Sequence, residues 1–117
     1  MRCRIDWTSS SNCETSPLEE IDTIADRALY YVDQSGESRA VVIKIGKPRY
    51  VNGLWEIHVA LDGLYDKTYL IKGVDSFQAV CLAMGFIRNV MEKYIAQGGR
   101  FLWSDKSAEI NLDTMFS

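Results

Sequence analysis

Histidine is nearly absent from this chain, proline is scarce, and no apolar stretch is long. His58 is the one imidazole among 117 residues, so proton transfer at neutral pH has a single ordinary candidate. It falls on the polar side of an alternating segment, and no Gly-x-Ser-x-Gly elbow accompanies it. The three cysteines, Cys3, Cys13 and Cys81, form no Cys-x-x-Cys pair, and with His58 they lack metal-ligand spacing. Apart from Gly98-Gly99 the glycines stand singly, so no phosphate-cradling loop is present. The carboxylate pairs Glu19-Glu20 and Asp62/Asp66 lie on a charged terminal stretch and a turn, at no diagnostic spacing. No run approaches the roughly 18 apolar residues of a membrane helix. The expectation is a chain with no catalytic residues, no cofactor and no metal, and therefore not an enzyme.

Charge of one sign is also missing. The formal net charge of -3 leaves no basic stripe for nucleic acid. Lys44, Lys47 and Arg49 do gather with Tyr50 around a hairpin tip, an arrangement that can hold a single strand. The surrounding stretch is nearly balanced, so it reads as a turn with solvated charges. Acidity is local instead: Glu14, Glu19, Glu20, Asp22 and Asp26 fall in one stretch without a basic residue. Such a run is either a solvated segment or a docking surface for a basic partner. Met1-Arg2-Cys3-Arg4 begins charged with no apolar run after it, and Cys81 sits in an apolar helical pattern. Both fit a reduced, cytoplasmic protein.

What is present is the patterning of one globular domain, with 47% hydrophobic and 25% charged residues. Residues 1–23 read as a polar N-terminal segment, flexible around Thr8–Asn12. Ser16 as N-cap, Pro17 at N1 and Glu19 at N3 predict a short helix over about 17–24. Residues 24–117 read as a single α+β domain. Strands are expected over 28–32, 40–45, 54–61 and 67–71, reversed by Asp33–Glu37, Asn52-Gly53 and Asp62-Gly63. In the third of them Trp55, Ile57, Val59 and Leu61 share one face, and Glu56, His58 and Ala60 the wet one.

Asp75 or Ser76, with Gln78, then predicts a helix start. Phe77, Val80, Cys81, Met84, Ile87, Met91, Tyr94 and Ile95 recur at helical spacing to about Ala96, where Gly98-Gly99 supplies a left-handed cap. Arg100–Trp103 reads as a short fifth strand. The fold expected is a four-stranded antiparallel meander with one long amphipathic helix on one face and that strand after it. Residues 104–117 would cover an edge or form a short final helix, and Trp55 and Trp103 would enter the core.

Ile24-Ala25-Asp26-Arg27-Ala28-Leu29, Ile45-Gly46-Lys47-Pro48, Trp55, Gly63-Leu64 and Gly73-Val74-Asp75-Ser76-x-Gln78-Ala79-x-x-Leu82 together resemble a family of small bacterial domains of unknown function. The likeness covers about residues 24–103, and its most specific part is the Gly-Val-Asp-Ser-x-Gln-Ala piece. A cysteine often stands two residues beyond the tryptophan in that family; here the position is Ile57. The resemblance implies a fold and no catalytic residues. Small domains of this kind are similar to proteins encoded beside bacterial toxins.

The functional expectation is a non-enzymatic protein-binding domain, an immunity-type protein that masks a bacterial toxin. Glu19, Glu20, Asp22 and Asp26 would steer a basic toxin domain, and Tyr50, Tyr65 and Tyr69 are its candidate anchors, with the core as their rival place. The alternative is a small-ligand or accessory domain, homodimeric through a sheet edge.

Overall fold

The alternating segments close into one antiparallel sheet roofed by a helix. The computed structural model describes residues 13–17, 22–106 and 108–116. Its strands are β1 (Cys13–Pro17), β2 (Thr23–Val32), β3 (Ser38–Gly46), β4 (Arg49–Val51), β5 (Leu54–Asp62), β6 (Lys67–Gly73) and β7 (Arg100–Trp103); its helices are α1 (Ser76–Ala96) and α2 (Leu112–Met115). The strand order is β1-β6-β5-β3-β2-β7, with β4 also on β5. The meander β2-β3-β5-β6 matches expectation. Its tight turn at Asn52-Gly53 has φ of 51° and 87°, the positive pair that a type I′ hairpin demands.

Three features differ. The chain does not leave the sheet after β3: β4 resumes beside the start of β5, from Arg49↔Glu56 to Val51↔Leu54. The short helix expected over 17–24 is overruled at both ends, because Pro17 closes β1 and Thr23 opens β2. β1 lies along β6 from Cys13↔Ile71 to Pro17↔Lys67, so ladder pairing outweighs the local capping-box signal. Residues 18–21 and 8–12 lie outside the described residues. Last, the strand after α1 crosses to the far side of the sheet and pairs with β2, from Leu29↔Trp103 to Val32↔Arg100.

The helix lies on the expected layer but is turned about its axis. Its buried residues are Ala79, Leu82, Ala83, Phe86, Ile87, Val90 and Met91, whereas Phe77 is 81% exposed and Met84 and Ile95 are also exposed. Of the expected stripe Ile87 and Met91 are buried and Val80 and Tyr94 pack against the core, while Phe77, Met84 and Ile95 fall outside the buried face. Ala79 and Ala83, both fully buried, bring the helix close to the sheet, and close approach decides which face packs.

Gly73 shows the same constraint. A Cβ placed there would lie 2.6 Å from the Ala79 backbone nitrogen. Gly73→Ala is therefore expected to cost about 1–3 kcal/mol through a forced backbone shift, measured by urea unfolding.

The helix ends are satisfied as the sequence requires. Asp75 Oδ1 accepts from the Gln78 N–H at 2.7 Å, and Gln78 Oε1 accepts in return from the Val74 N–H at 2.7 Å. This is a capping box whose return bond reaches one residue further back than the usual N-cap amide. At the other end the Gly98 N–H bonds Ile95 O and the Gly99 N–H bonds Tyr94 O, the pair of bonds that defines a Schellman cap. Ile110 N–H donates to Phe101 O at 2.7 Å and Trp103 N–H to Ala108 O at 3.1 Å. The tail thus covers the outer edge of β7 before forming α2.

Candidate functional site

β7 is short, and among the described residues this leaves half of β2 with β3 as its one strand neighbour. Pairing with β7 stops at Leu29. Along Ile24–Ala28 no strand among the described residues lies on that side of β2, and all five residues are exposed. The inner side of the same stretch is held by β3, from Ala25↔Ile45 to Ala28↔Val42, with an irregularity between Thr23 and Ala25 that leaves Ile24 as the extra residue. A bulge and two charges, Asp26 and Arg27, are what natural sheets place on an edge to keep it from pairing indiscriminately.

Beside this edge lies a cleft of about 150 Å³. Ala25, Ile43 and Ile45 form its floor, Met84 and Ile87 of α1 one wall, Met115 and Phe116 the other, and Asp26 and Arg27 its mouth. The second wall is held in place by Arg88, which forms an ion pair with Asp113 and stands 5.9 Å over the Phe116 ring. The cleft is well below the roughly 300–1,000 Å³ of a pocket that encloses a small-molecule ligand. Its size and lining suit individual apolar side chains.

Exposed apolar residues gather toward the same end of the sheet, where β2 and β5 begin and β6 finishes. Phe77 is 81% exposed, Val74 68%, Tyr50 63% and Ile24 57%. The Tyr50 ring leans on Trp55 with centroids 5.6 Å apart. Apolar residues exposed at one end of a sheet are candidates for an interaction surface.

The residues expected to bind a partner are divided by the structure. Asp26 borders the cleft from its place on β2 and stands opposite Lys44 in the ladder, on the other face of the sheet from Ala25. Asp22 is exposed, and its carbonyl accepts from the Lys47 N–H at 2.8 Å. Tyr50 is exposed at the same end. Glu19 and Glu20 lie outside the described residues. Tyr65 and Tyr69 are not free anchors: both are half-buried and pack against the core. They join a run of rings in which Tyr69 contacts Phe86 at 4.7 Å, Tyr65 contacts Tyr69 at 5.6 Å, and Tyr94 links Tyr65 to Tyr31. His58 is half-buried opposite Leu70. Ala60, assigned to a wet face, is 1% exposed, as is its neighbour Thr68.

The tyrosine run has a consequence for alkaline stability. Burial foremost, then the neighbouring Tyr94, push the Tyr65 hydroxyl well above its ordinary value, and burial raises Tyr31 as well. A tyrosine that keeps its proton longer when folded stabilises the protein fully below the unfolded value of about 10. That contribution falls as pH rises above it. The melting temperature is expected to drop steeply above about pH 10, and Tyr65→Phe should flatten the decline. An equally steep decline in the variant would remove Tyr65 as its source.

The profile of the family described as Domain of unknown function (DUF6968) matches residues 25–113. The chain belongs to the DUF6968 family. Comparison with curated proteins and with solved structures returns no match. The DUF6968 match begins on the open edge at Ala25 and ends at Asp113, the partner of Arg88. It therefore takes in Ala25–Ala28 of the edge and all of α1, and it runs past β7 but stops before Met115 and Phe116 of the cleft wall. Among the described residues no helix is long and apolar enough to cross a membrane, and no group of histidine, cysteine and carboxylate side chains is set to hold a metal.

The sequence singles out Asp26 and Tyr50, which the structure leaves exposed, but gives no sign of the cleft. Ala25, Met115 and Phe116 carry no local chemical signature. They come together only because the eight residues between β7 and α2 bring the tail back beside Met84 and the start of β2.

Proposed function

We propose that this DUF6968 domain is a non-enzymatic protein-binding module of the immunity type, which binds and neutralises a bacterial toxin. The observation that carries the reading is the apolar surface at one end of the sheet, from Ile24 and the cleft to Tyr50 and Phe77. Surfaces of this composition gain from burial against another protein, and a tyrosine such as Tyr50 is a favoured anchor. The cleft volume favours a protein over a small ligand. The acidic stretch supports a basic partner, since Asp22 and Asp26 are exposed at that end and would speed and orient its approach. The resemblance to small domains encoded beside toxins points the same way.

The test is to identify the product of the neighbouring gene and, where it is a basic toxin domain, to co-purify it with this chain. Tyr50→Ala and Phe77→Ala together are expected to weaken the complex by tenfold or more, as loss of an anchor does. Asp22→Lys with Asp26→Lys should slow association at low salt, with the difference shrinking as salt is added. A neighbouring gene without toxin character, or affinity untouched by the aromatic pair, would overturn the reading.

A further inference from the structure

The open stretch of β2 and the cleft beside it are parts of one surface, and their chemistry specifies how a partner is held. We propose that the edge Ile24–Ala28 takes up an extended segment of another protein as an added strand. An apolar side chain of that segment, opposite Ala25, enters the cleft, while a basic side chain, opposite Asp26, lies on the other face. The proposal rests on the protein-binding reading above and names the manner of binding.

Four observations support it. The first is the vacancy in the ladder. Beyond Leu29↔Trp103 no described strand continues along β2, and an edge presents a row of main-chain donors and acceptors to whatever lies alongside. The second is length. The open stretch runs from the bulge at Ile24 to the register position where β7 takes over, five residues, which is the span of an ordinary strand.

The third is the placement of the cleft. Alternate residues of a strand face opposite sides of the sheet. Ala25 faces the helix side with Ile43 and Ile45, so a residue paired with Ala25 faces that side too, where Met84, Met115 and Phe116 stand. Strand addition with side chains seated in adjoining pockets is a recurrent way of holding a peptide: the main chain supplies affinity and the pocket selects.

The fourth is charge, which also decides the occupant. A second copy pairing edge to edge about a two-fold axis would set Asp26 against Asp26, or Arg27 against Arg27, when centred on either residue. Like charges directly opposite each other destabilise a sheet. Centring on Ala25 instead would set Asp26 against Ile24. A foreign strand has no such restriction, and one with a lysine or arginine opposite Asp26 gains an opposite-charge pair. Charge disfavours two of the symmetric registers and leaves the one on Ala25 without an ion pair, so complementarity points to a different chain, with a basic residue opposite Asp26 and none opposite Arg27.

The experiment is selection of phage-displayed octapeptides on the full chain, followed by synthesis of an enriched peptide. Enriched sequences should alternate, with a basic residue flanked by apolar ones. Bound peptide should slow amide hydrogen exchange along Ile24–Ala28. Methylating alternate backbone nitrogens of the peptide should weaken it tenfold or more. Asp26 faces Lys44 across the ladder, so the Asp26→Lys variant is compared with the parent chain at a temperature where both are folded. It should shift the selected residue from basic to acidic.

No alternating enrichment, or protection that avoids β2, would overturn the proposal. Peptides that protect the Tyr50–Phe77 end alone would sink strand addition while leaving the protein-binding reading standing. A chain that self-associates through β2, seen as concentration-dependent mass with protection at Ile24–Ala28, would make the occupant a second copy and refute a foreign one.

Discussion

Phe86→Ala is expected to destabilise the domain by about 3–5 kcal/mol, the usual effect of removing a buried aromatic. Phe86 is 1% exposed and lies between α1 and β6, its ring 4.7 Å from that of Tyr69. The loss combines vanished apolar burial with a cavity that two close backbones cannot collapse to fill. In a domain of this size it corresponds to a melting temperature lower by roughly 15–30 °C. Calorimetry or thermal circular dichroism measures it directly. A drop below about 1 kcal/mol would mean that the roof tolerates a void, against the usual behaviour of packed interiors.

Gly63→Ala is expected to act at a different place for two separate reasons. The Gly63 φ of 104° lies in the left-handed half of backbone space, which costs a residue with a Cβ about 1–2 kcal/mol. A Cβ there would also lie 2.2 Å from the Ala40 carbonyl oxygen. Since that oxygen belongs to a backbone in the ladder, relief requires moving β3, at about 1–3 kcal/mol more. Gly36→Ala separates the two contributions. Gly36 has φ of 90° but nothing within 4 Å of its Cβ position, so it should show the conformational part alone. Equal losses at the two positions would mean that the clash at Gly63 relaxes without cost.

These contrasts indicate what a reader of the sequence can and cannot see. Turn residues announced themselves, because Asn52-Gly53 and Asp62-Gly63 carry a conformational need in their own chemistry. The helix and both its caps were equally legible from Asp75, Gln78 and Gly98-Gly99. Its rotation was not. Phe77 and Met84 outweigh Ala79 and Ala83 in any reading that scores size and apolarity, yet the alanines pack inward because the sheet passes so close. Tyr65 and Tyr69 show the converse, since nothing local says whether a tyrosine on a strand will meet Phe86 or water.

Ser16 and Pro17 predict a helix start where the structure has the end of strand Cys13–Pro17, because a capping box is local and the partner strand β6 lies about fifty residues away. The candidate site was the least visible part. Asp26 drew attention through its charge, but the vacancy beside it exists only because β7 ends at Trp103.

The far-side placement of β7 also governs the order in which this chain can mature. Val32 must wait for Arg100 before its ladder is complete, so the sheet closes only after Trp103 has left the ribosome. Until then the outer edge of β2 is bare along its whole length, with β3 alone beside it, and a nascent chain in that condition is at its most vulnerable to partners it should not meet.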